Sequence, residues 1–329
     1  MIYDLRFTIF FIGSINRTSY ILSRIFVRMD FSNKKLIVLV GPTAVGKTAV
    51  AIRIAKQLKT EIISADSRQI YRELSIGTAK PSEAELSHVP HHFISSHSIH
   101  TNYDAAQFGE EAQMLIHELF KRYDYLVVCG GSGLYIKALL EGFDDIPEVA
   151  DEVRDQLIEE FENKGMLWLQ NKMRELDPEH FQKIDQRNPV RLMRALEVKL
   201  ATGKSISAFQ TSTKKEHPFT VIKIGLELDR AELYKRIDDR MDQMIALGLF
   251  EEAAQLLPYR NLNALQTVGY REIFDYLDGQ YDREEAVRLL KRNSRRYAKR
   301  QLTWFKHDEE IVWFRPDQVN ELLNVIQND

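Results

Sequence analysis

Residues Gly41-Pro42-Thr43-Ala44-Val45-Gly46-Lys47-Thr48 carry the densest chemical signal in the chain, and they follow the apolar run Leu36-Ile37-Val38-Leu39-Val40. Glycines at both ends of such a turn let backbone N–H groups point inward, and the start of a following helix adds unpaired donors and a favourable dipole. Lys47 supplies a point charge to terminal phosphates, and Thr48 offers a hydroxyl to a magnesium ion. The expected ligand therefore carries a di- or triphosphate. A second candidate is Asp66, at the end of the strand-like stretch Glu61 to Ala65 and beside Ser67, Arg68 and Gln69. A carboxylate there serves either as a general base or metal-linked group, or as the N-cap of a following helix. A third is the turn Gly130-Gly131-Ser132-Gly133, which closes the apolar run Tyr125 to Cys129. It is either a tight strand-to-helix connection or a ligand-facing loop.

These residues need a scaffold that brings strand ends together. Strands are expected at 36–40, 61–65, 125–129 and 219–228, with helices at 49–58, 105–122 and 134–140. That alternation predicts an α/β fold of the P-loop NTPase-like type, a parallel sheet flanked by helices. Its ligands gather at the carboxyl ends of the strands. Residues 141–216 are charged, with apolar residues at helical spacing (Val153, Leu157, Phe161; Leu192, Leu196, Leu200), which predicts an inserted all-helical domain. The core is then 29–140 with 217–329, and the chain from Ala231 onward is expected to be helical.

Composition narrows the field further. The 329 residues have a formal net charge of −3 and 28% charged residues, an ordinary globular balance. The single cysteine, Cys129, excludes an internal disulfide framework and a cysteine-based zinc site, which suits a reducing cytoplasm; it is expected to be buried in its strand. No 18-residue uncharged apolar run exists, so no membrane span is expected. Residues 1–28 mix apolar residues with four arginines, and Met29 is expected to be the true start. Histidines at 88, 91, 92, 97 and 100 lack zinc-type spacing. From Arg283 to Lys306 there are nine basic residues against two acidic ones, at three- and four-residue spacing and interleaved with Tyr297, Trp304 and Phe305. Such a stripe points to a nucleic-acid backbone or to phosphate ligands. Arg187, Arg191 and Arg194 form a shorter basic row, which alone reads as a solvated face.

In combination these motifs resemble the tRNA dimethylallyltransferase (tRNA isopentenyltransferase) family. The resemblance rests on residues 41–48, Ile63 to Tyr71, Ile76 to Pro81, Gly130 to Tyr135, Arg191 to Glu197, Gln266 to Glu272 and Lys299 to Phe305. It implies transfer of a dimethylallyl group from dimethylallyl diphosphate to N6 of adenine 37 of a tRNA, with diphosphate leaving. The phosphate loop would hold the allylic diphosphate rather than ATP, with Mg2+ as cofactor. Asp66 matches the proposed base, and Thr43 matches a residue beside the reacting atoms. Implied tRNA contacts are Asp66, Ser67, Arg68, Gln69, Ser132 and Arg154, then Val190, Arg191, Leu192, Met193 and Arg194. Gln266, Thr267, Val268, Gly269, Tyr270 and Arg271 complete them. A cytoplasmic monomer is expected. The chain departs from the family pattern at Ser132, usually Thr, at Ser95, commonly Asp, and at Asp185-Gln186-Arg187-Asn188. Prenylation of a free adenine nucleotide, a small-molecule kinase and a nucleic-acid-binding NTPase are the competing readings.

Overall fold

The computed structural model describes residues 31–144, 146–147, 149–209 and 216–328. Residues 1–28 and the expected start at Met29 lie outside them. The leading strand β1 (Lys35–Val40) runs into the phosphate loop and helix α1 (Lys47–Leu58). Then come β2 (Ile62–Ser64), a short α2 (Glu83–Leu86), β3 (His91–His92) and α3 (Ala105–Phe120). β4 (Tyr125–Gly130) and α4 (Gly133–Leu140) complete the first half. Helices α5 (Asp151–Leu176), α6 (Pro178–Lys183) and α7 (Pro189–Thr202) follow before β5 (Thr220–Leu226). The remainder is α8 (Arg230–Ala246), α9 (Leu249–Leu256), α10 (Arg271–Leu277), α11 (Arg283–Phe305), β6 (Val312–Phe314) and α12 (Val319–Asn328).

All six strands are parallel, in the order β3-β2-β4-β1-β5-β6. Helices cover both faces, so the central strand is apolar from Leu36 to Val40. Its residues alternate between two cores: Leu36, Val38 and Val40 pack on one side, Ile37 and Leu39 on the other. Register sets the site. Val40 pairs with Gly130 of β4 and Gly225 of β5, and Ser64 of β2 pairs with Cys129. The loops after β1, β2 and β4 therefore emerge at one edge.

A third apolar cluster joins Leu157, Leu169, Met173, Leu192 and Leu196, all from α5 and α7. Helix α5 is broken at Gly165, whose φ of 73° and ψ of −172° no side-chain-bearing residue adopts comfortably. The sheet differs from expectation at both margins. The histidine segment contributes β3, and the C-terminal region, expected to be all helical, contributes β6. Both are short edge strands of two and three residues, too brief for a period-two pattern to announce.

Candidate active site

The phosphate loop is built on backbone conformations that require glycine. Gly46 has φ +107°, and at Gly41 (φ +149°) an added Cβ would lie 2.7 Å from the Leu226 carbonyl oxygen of β5. Helix α1 starts without a side-chain cap and without an acid in its first turn, so its positive end is not neutralised by the chain itself.

Lys47 is held close to the loop, donating to the carbonyls of Gly41 (3.0 Å) and Pro42 (2.8 Å). Burial pulls its ammonium down to about 8, against the opposing pull of the Cys129 and Asp66 side chains. Facing it is Arg240 of α8, which donates to the Thr43 hydroxyl. Burial lowers the Arg240 pKa from its ordinary value, and Asp66 partly restores it. Among the described residues neither cation has a carboxylate within ion-pair distance. Two half-buried cations without an ion-pair partner are costly, and an anion bound between them reduces that cost.

Asp66 sits across the same cavity. Its Oδ1 accepts the N–H groups of Arg68 (2.9 Å) and Gln69 (3.2 Å), and Oδ2 accepts no hydrogen bond among the described residues. The segment it opens, residues 67–70, is a turn and not the helix that a capping role would require. Asp66 thus orders its own turn with one oxygen and leaves the other for a ligand. The cavity, about 290 Å³, is lined by Thr43, Lys47, Thr48, Asp66, Gln69, Arg240 and Tyr297 among others. A smaller chamber of about 80 Å³ adjoins it, bounded by Arg68, Thr267, Val268, Gly269, Met241 and Met244. Thr43, Asp66, Thr78, Arg240 and Tyr297 border both.

Two amides fix the walls. Gln301, only 7% exposed, accepts from the Thr43 N–H at 2.8 Å and donates to the Gly131 carbonyl at 2.9 Å, tying the phosphate loop to the β4 turn. An added Cβ at Gly131 would meet that amide at 2.4 Å, so this turn needs glycine for packing. Gln69 donates to the carbonyls of Thr78 and Ala79, and Ser132 accepts from the Ser67 N–H at 2.9 Å. Cys129 is half-buried and lines the larger cavity, where the sequence alone placed it inside the sheet; burial pushes its thiol up to about 11.

The other expected contacts divide by accessibility. Val190, Arg191, Gln266 and Arg271 are exposed, whereas Leu192 and Tyr270 are fully buried and have no surface to offer an RNA. The Tyr270 hydroxyl donates to Glu252, which also accepts the N–H groups of Ser75, Ile76 and Gly77. Arg154 and Arg194 both bind the buried Glu197, at 3.1 and 3.2 Å, and Met193 packs against the helical cluster. The C-terminal stripe is partly neutralised: Arg295 binds Asp238 at 2.6 Å, Lys291 binds Asp242 at 2.6 Å and Arg288 binds Glu285 at 2.6 Å. Arg296, Lys299 and Arg300 remain exposed.

Sequence reading missed Arg240, Gln301 and Tyr297. A signal existed for two of them. Arg240 falls on the stripe of Ile237, Met241 and Met244, and Gln301 on that of Ser294, Ala298 and Phe305. A polar residue on a buried helix face is placed there for a partner.

A parallel sheet with a phosphate loop, a strand-end carboxylate and two cations without an ion-pair partner around one cavity defines an α/β protein of the P-loop class. A model described as IPP transferase matches residues 69–308. The chain belongs to the IPP transferase family, and it is an enzyme of the prenyl transferase class. It is 53% identical over 299 residues to a tRNA dimethylallyltransferase of Cytophaga hutchinsonii, covering 91% of this chain and 98% of that relative. A tRNA dimethylallyltransferase of Bacteroides fragilis is 48% identical, covering 89% and 98%. Among solved structures it resembles a full-length tRNA isopentenylpyrophosphate transferase from Bacillus halodurans (TM-score 0.67, 38% identity, 90% of this chain, 96% of that one). It also resembles a eukaryotic dimethylallyltransferase acting on tRNA (TM-score 0.68, 28% identity, 83% and 70%).

Proposed function

We propose that this protein transfers a dimethylallyl group from dimethylallyl diphosphate to N6 of adenine 37 in tRNA. The observation that carries the reading is the pair of half-buried cations, Lys47 and Arg240, that line one cavity with Asp66 and have no carboxylate within ion-pair distance. A diphosphate suits the cations and the uncapped start of α1. The base then approaches from the Asp66 side, having left its loop stack to reach the strand ends. Its exocyclic nitrogen is a weak nucleophile because its lone pair is shared with the ring. In the transfer the nitrogen lone pair bonds to the allylic carbon, the carbon–oxygen bond breaks, and its electrons leave with diphosphate. Asp66 takes the N6 proton through the carboxylate oxygen not used by its turn. Thr43, held by Arg240 and Gln301, presents its hydroxyl at the junction of the chambers.

The donor set fits magnesium. Thr48 and Asp66 border the cavity, and no cluster of three metal-binding side chains occurs among the described residues. Magnesium is commonly held by one or two protein oxygens, with water and substrate phosphates completing its shell. Bound with the diphosphate, it would add positive charge against the leaving group. Ser67, Arg68, Gln69 and Ser132 lie along the path of the base. Thr267, Val268 and Gly269 bound the smaller chamber. Arg154, Val190, Arg191, Met193 and Arg194 in the helical insertion 141–216, with Gln266 and Arg271, would meet the anticodon stem-loop. Leu192 and Tyr270 support that surface from inside. The substrate implies a cytoplasmic enzyme, and a monomer is the simplest arrangement of it. Among the described residues no helix is long and apolar enough to cross a membrane.

The test is incubation with an unmodified tRNA and dimethylallyl diphosphate, followed by digestion and mass spectrometry. Prenylated adenosine from position 37 is expected. ATP hydrolysis without prenyl transfer would overturn the reading in favour of an NTPase.

A further inference from the structure

Helix α11 delivers three side chains to the reaction space from one face, at positions 294, 297 and 301, three and four residues apart. Gln301 borders only the larger cavity, where its amide holds the phosphate loop. Ser294 borders only the smaller chamber. Tyr297 lies between them and borders both. The other residues shared by the two chambers are Thr43, Asp66, Thr78 and Arg240. Thr78 is committed to the carbonyls of Leu74 and Ser75, and Arg240 to the Thr43 hydroxyl. Tyr297 is the only one of the five with an aromatic face. Arg300 lies over the ring at 5.7 Å from its centroid and helps fix it.

This inference rests on the function proposed above and deepens it. If the diphosphate sits by Lys47 and the acceptor nitrogen by Asp66, the allylic carbon must lie at the boundary between the chambers. Breaking the carbon–oxygen bond of an allylic diphosphate builds positive charge on the allyl carbons as the electron pair leaves with the phosphate. Such a centre is attracted by a π face and is destroyed by water, which would capture it as dimethylallyl alcohol. We infer that Tyr297 is a specificity-determining residue: its ring covers the allyl group during transfer, stabilises the developing charge and keeps water from competing with the adenine nitrogen. Its role is that of the ring, since burial pushes the hydroxyl up to about 12 and keeps it neutral.

The experiment uses the full chain, an unmodified tRNA transcript and isotopically labelled dimethylallyl diphosphate under single-turnover conditions. Both prenylated adenosine and free dimethylallyl alcohol are measured. Tyr297→Leu is expected to slow transfer roughly tenfold, keep the donor KM within about threefold and raise the share of donor released as alcohol. Tyr297→Phe, which keeps the ring, should recover transfer to within about twofold and suppress the alcohol. Tyr297→Met is the second aliphatic variant should the leucine variant fold poorly, with thermal melts run on each. Wild-type transfer by the aliphatic variants without added alcohol overturns this inference alone. So does a phenylalanine variant as slow as the leucine one, because it would assign the effect to the hydroxyl. Wild-type protein that yields no prenylated tRNA overturns the function itself, and this inference with it.

Discussion

Two groups of cations in this molecule have opposite fates. Along α11 the basic stripe is conspicuous in sequence, yet Arg295 and Lys291 are matched by Asp238 and Asp242 of α8, and Arg288 by Glu285. At the sheet edge Lys47 and Arg240 are less conspicuous, are half-buried, and have only backbone carbonyls and a hydroxyl for partners. Helix α8 contributes to both: Asp238 and Asp242 face the stripe, while Arg240 turns into the cavity. The number of basic residues in a stretch therefore says little about where an anion binds. What matters is whether the fold supplies the counter-charge. Surface pairs of the first kind contribute about 0–1 kcal/mol, whereas a half-buried charge without an ion-pair partner is a standing cost that a ligand relieves.

The comparison can be broken or sharpened by substitution. The largest effect is expected at the carboxylate that serves the two cations' ligand. Asp66→Asn should reduce single-turnover transfer about a thousandfold while tRNA affinity, read by filter binding, changes little. Comparable losses in both would make Asp66 a positioning residue instead. Next, Arg240→Met should reduce transfer about a hundredfold and remove the thermal stabilisation given by pyrophosphate, without lowering the melting temperature of the protein alone. A variant that melts earlier yet still gains from pyrophosphate would show that Arg240 is structural.

Lys47 adds a pH signature. Its depressed value means the free protein carries the charge below pH about 8 and loses it as pH rises through that point. Pyrophosphate affinity should therefore fall above pH about 8, with proton uptake visible by calorimetry in buffers of different ionisation enthalpy. In Lys47→Arg this break should vanish. The smaller effects lie on the stripe. Reversing the exposed Arg296 and Lys299 to Glu should weaken tRNA binding about tenfold and flatten its salt dependence by about two in log–log slope. Arg295→Met, which removes a cation already matched by Asp238, should change tRNA binding by less than about twofold.

What the sequence disclosed follows from the range of the interactions involved. The phosphate loop is a local device, so its residues are contiguous and readable, and so is the strand that carries it. Asp66 was legible as a strand-end carboxylate, but only the turn at 67–70 decides against a helix cap. The basic spacing of α11 is legible as a stripe, but the partners of Arg295 and Lys291 lie on α8, about fifty residues upstream (Lys291 to Asp242 spans 49), beyond any local pattern. Leu192 and Tyr270 sit inside motif stretches whose resemblance implies RNA contact, and burial reassigns them to support. Arg240, Gln301 and Tyr297 reach the site from helices far along the chain. Amphipathic phase singles out the first two as polar residues on inward faces, but not what they face. Edge strands β3 and β6 were missed because two or three residues carry no period.

The central claim is that the space between Lys47 and Arg240 receives the diphosphate, with the allyl end directed to Asp66. A crystal structure with an unreactive thiolo analogue of dimethylallyl diphosphate tests it most directly. The account predicts phosphate oxygens within hydrogen-bond distance of both cations, and the allylic carbon between Asp66 and the Tyr297 ring. Phosphates bound on the exposed face of α11, with the Lys47 and Arg240 side chains untouched, would contradict it.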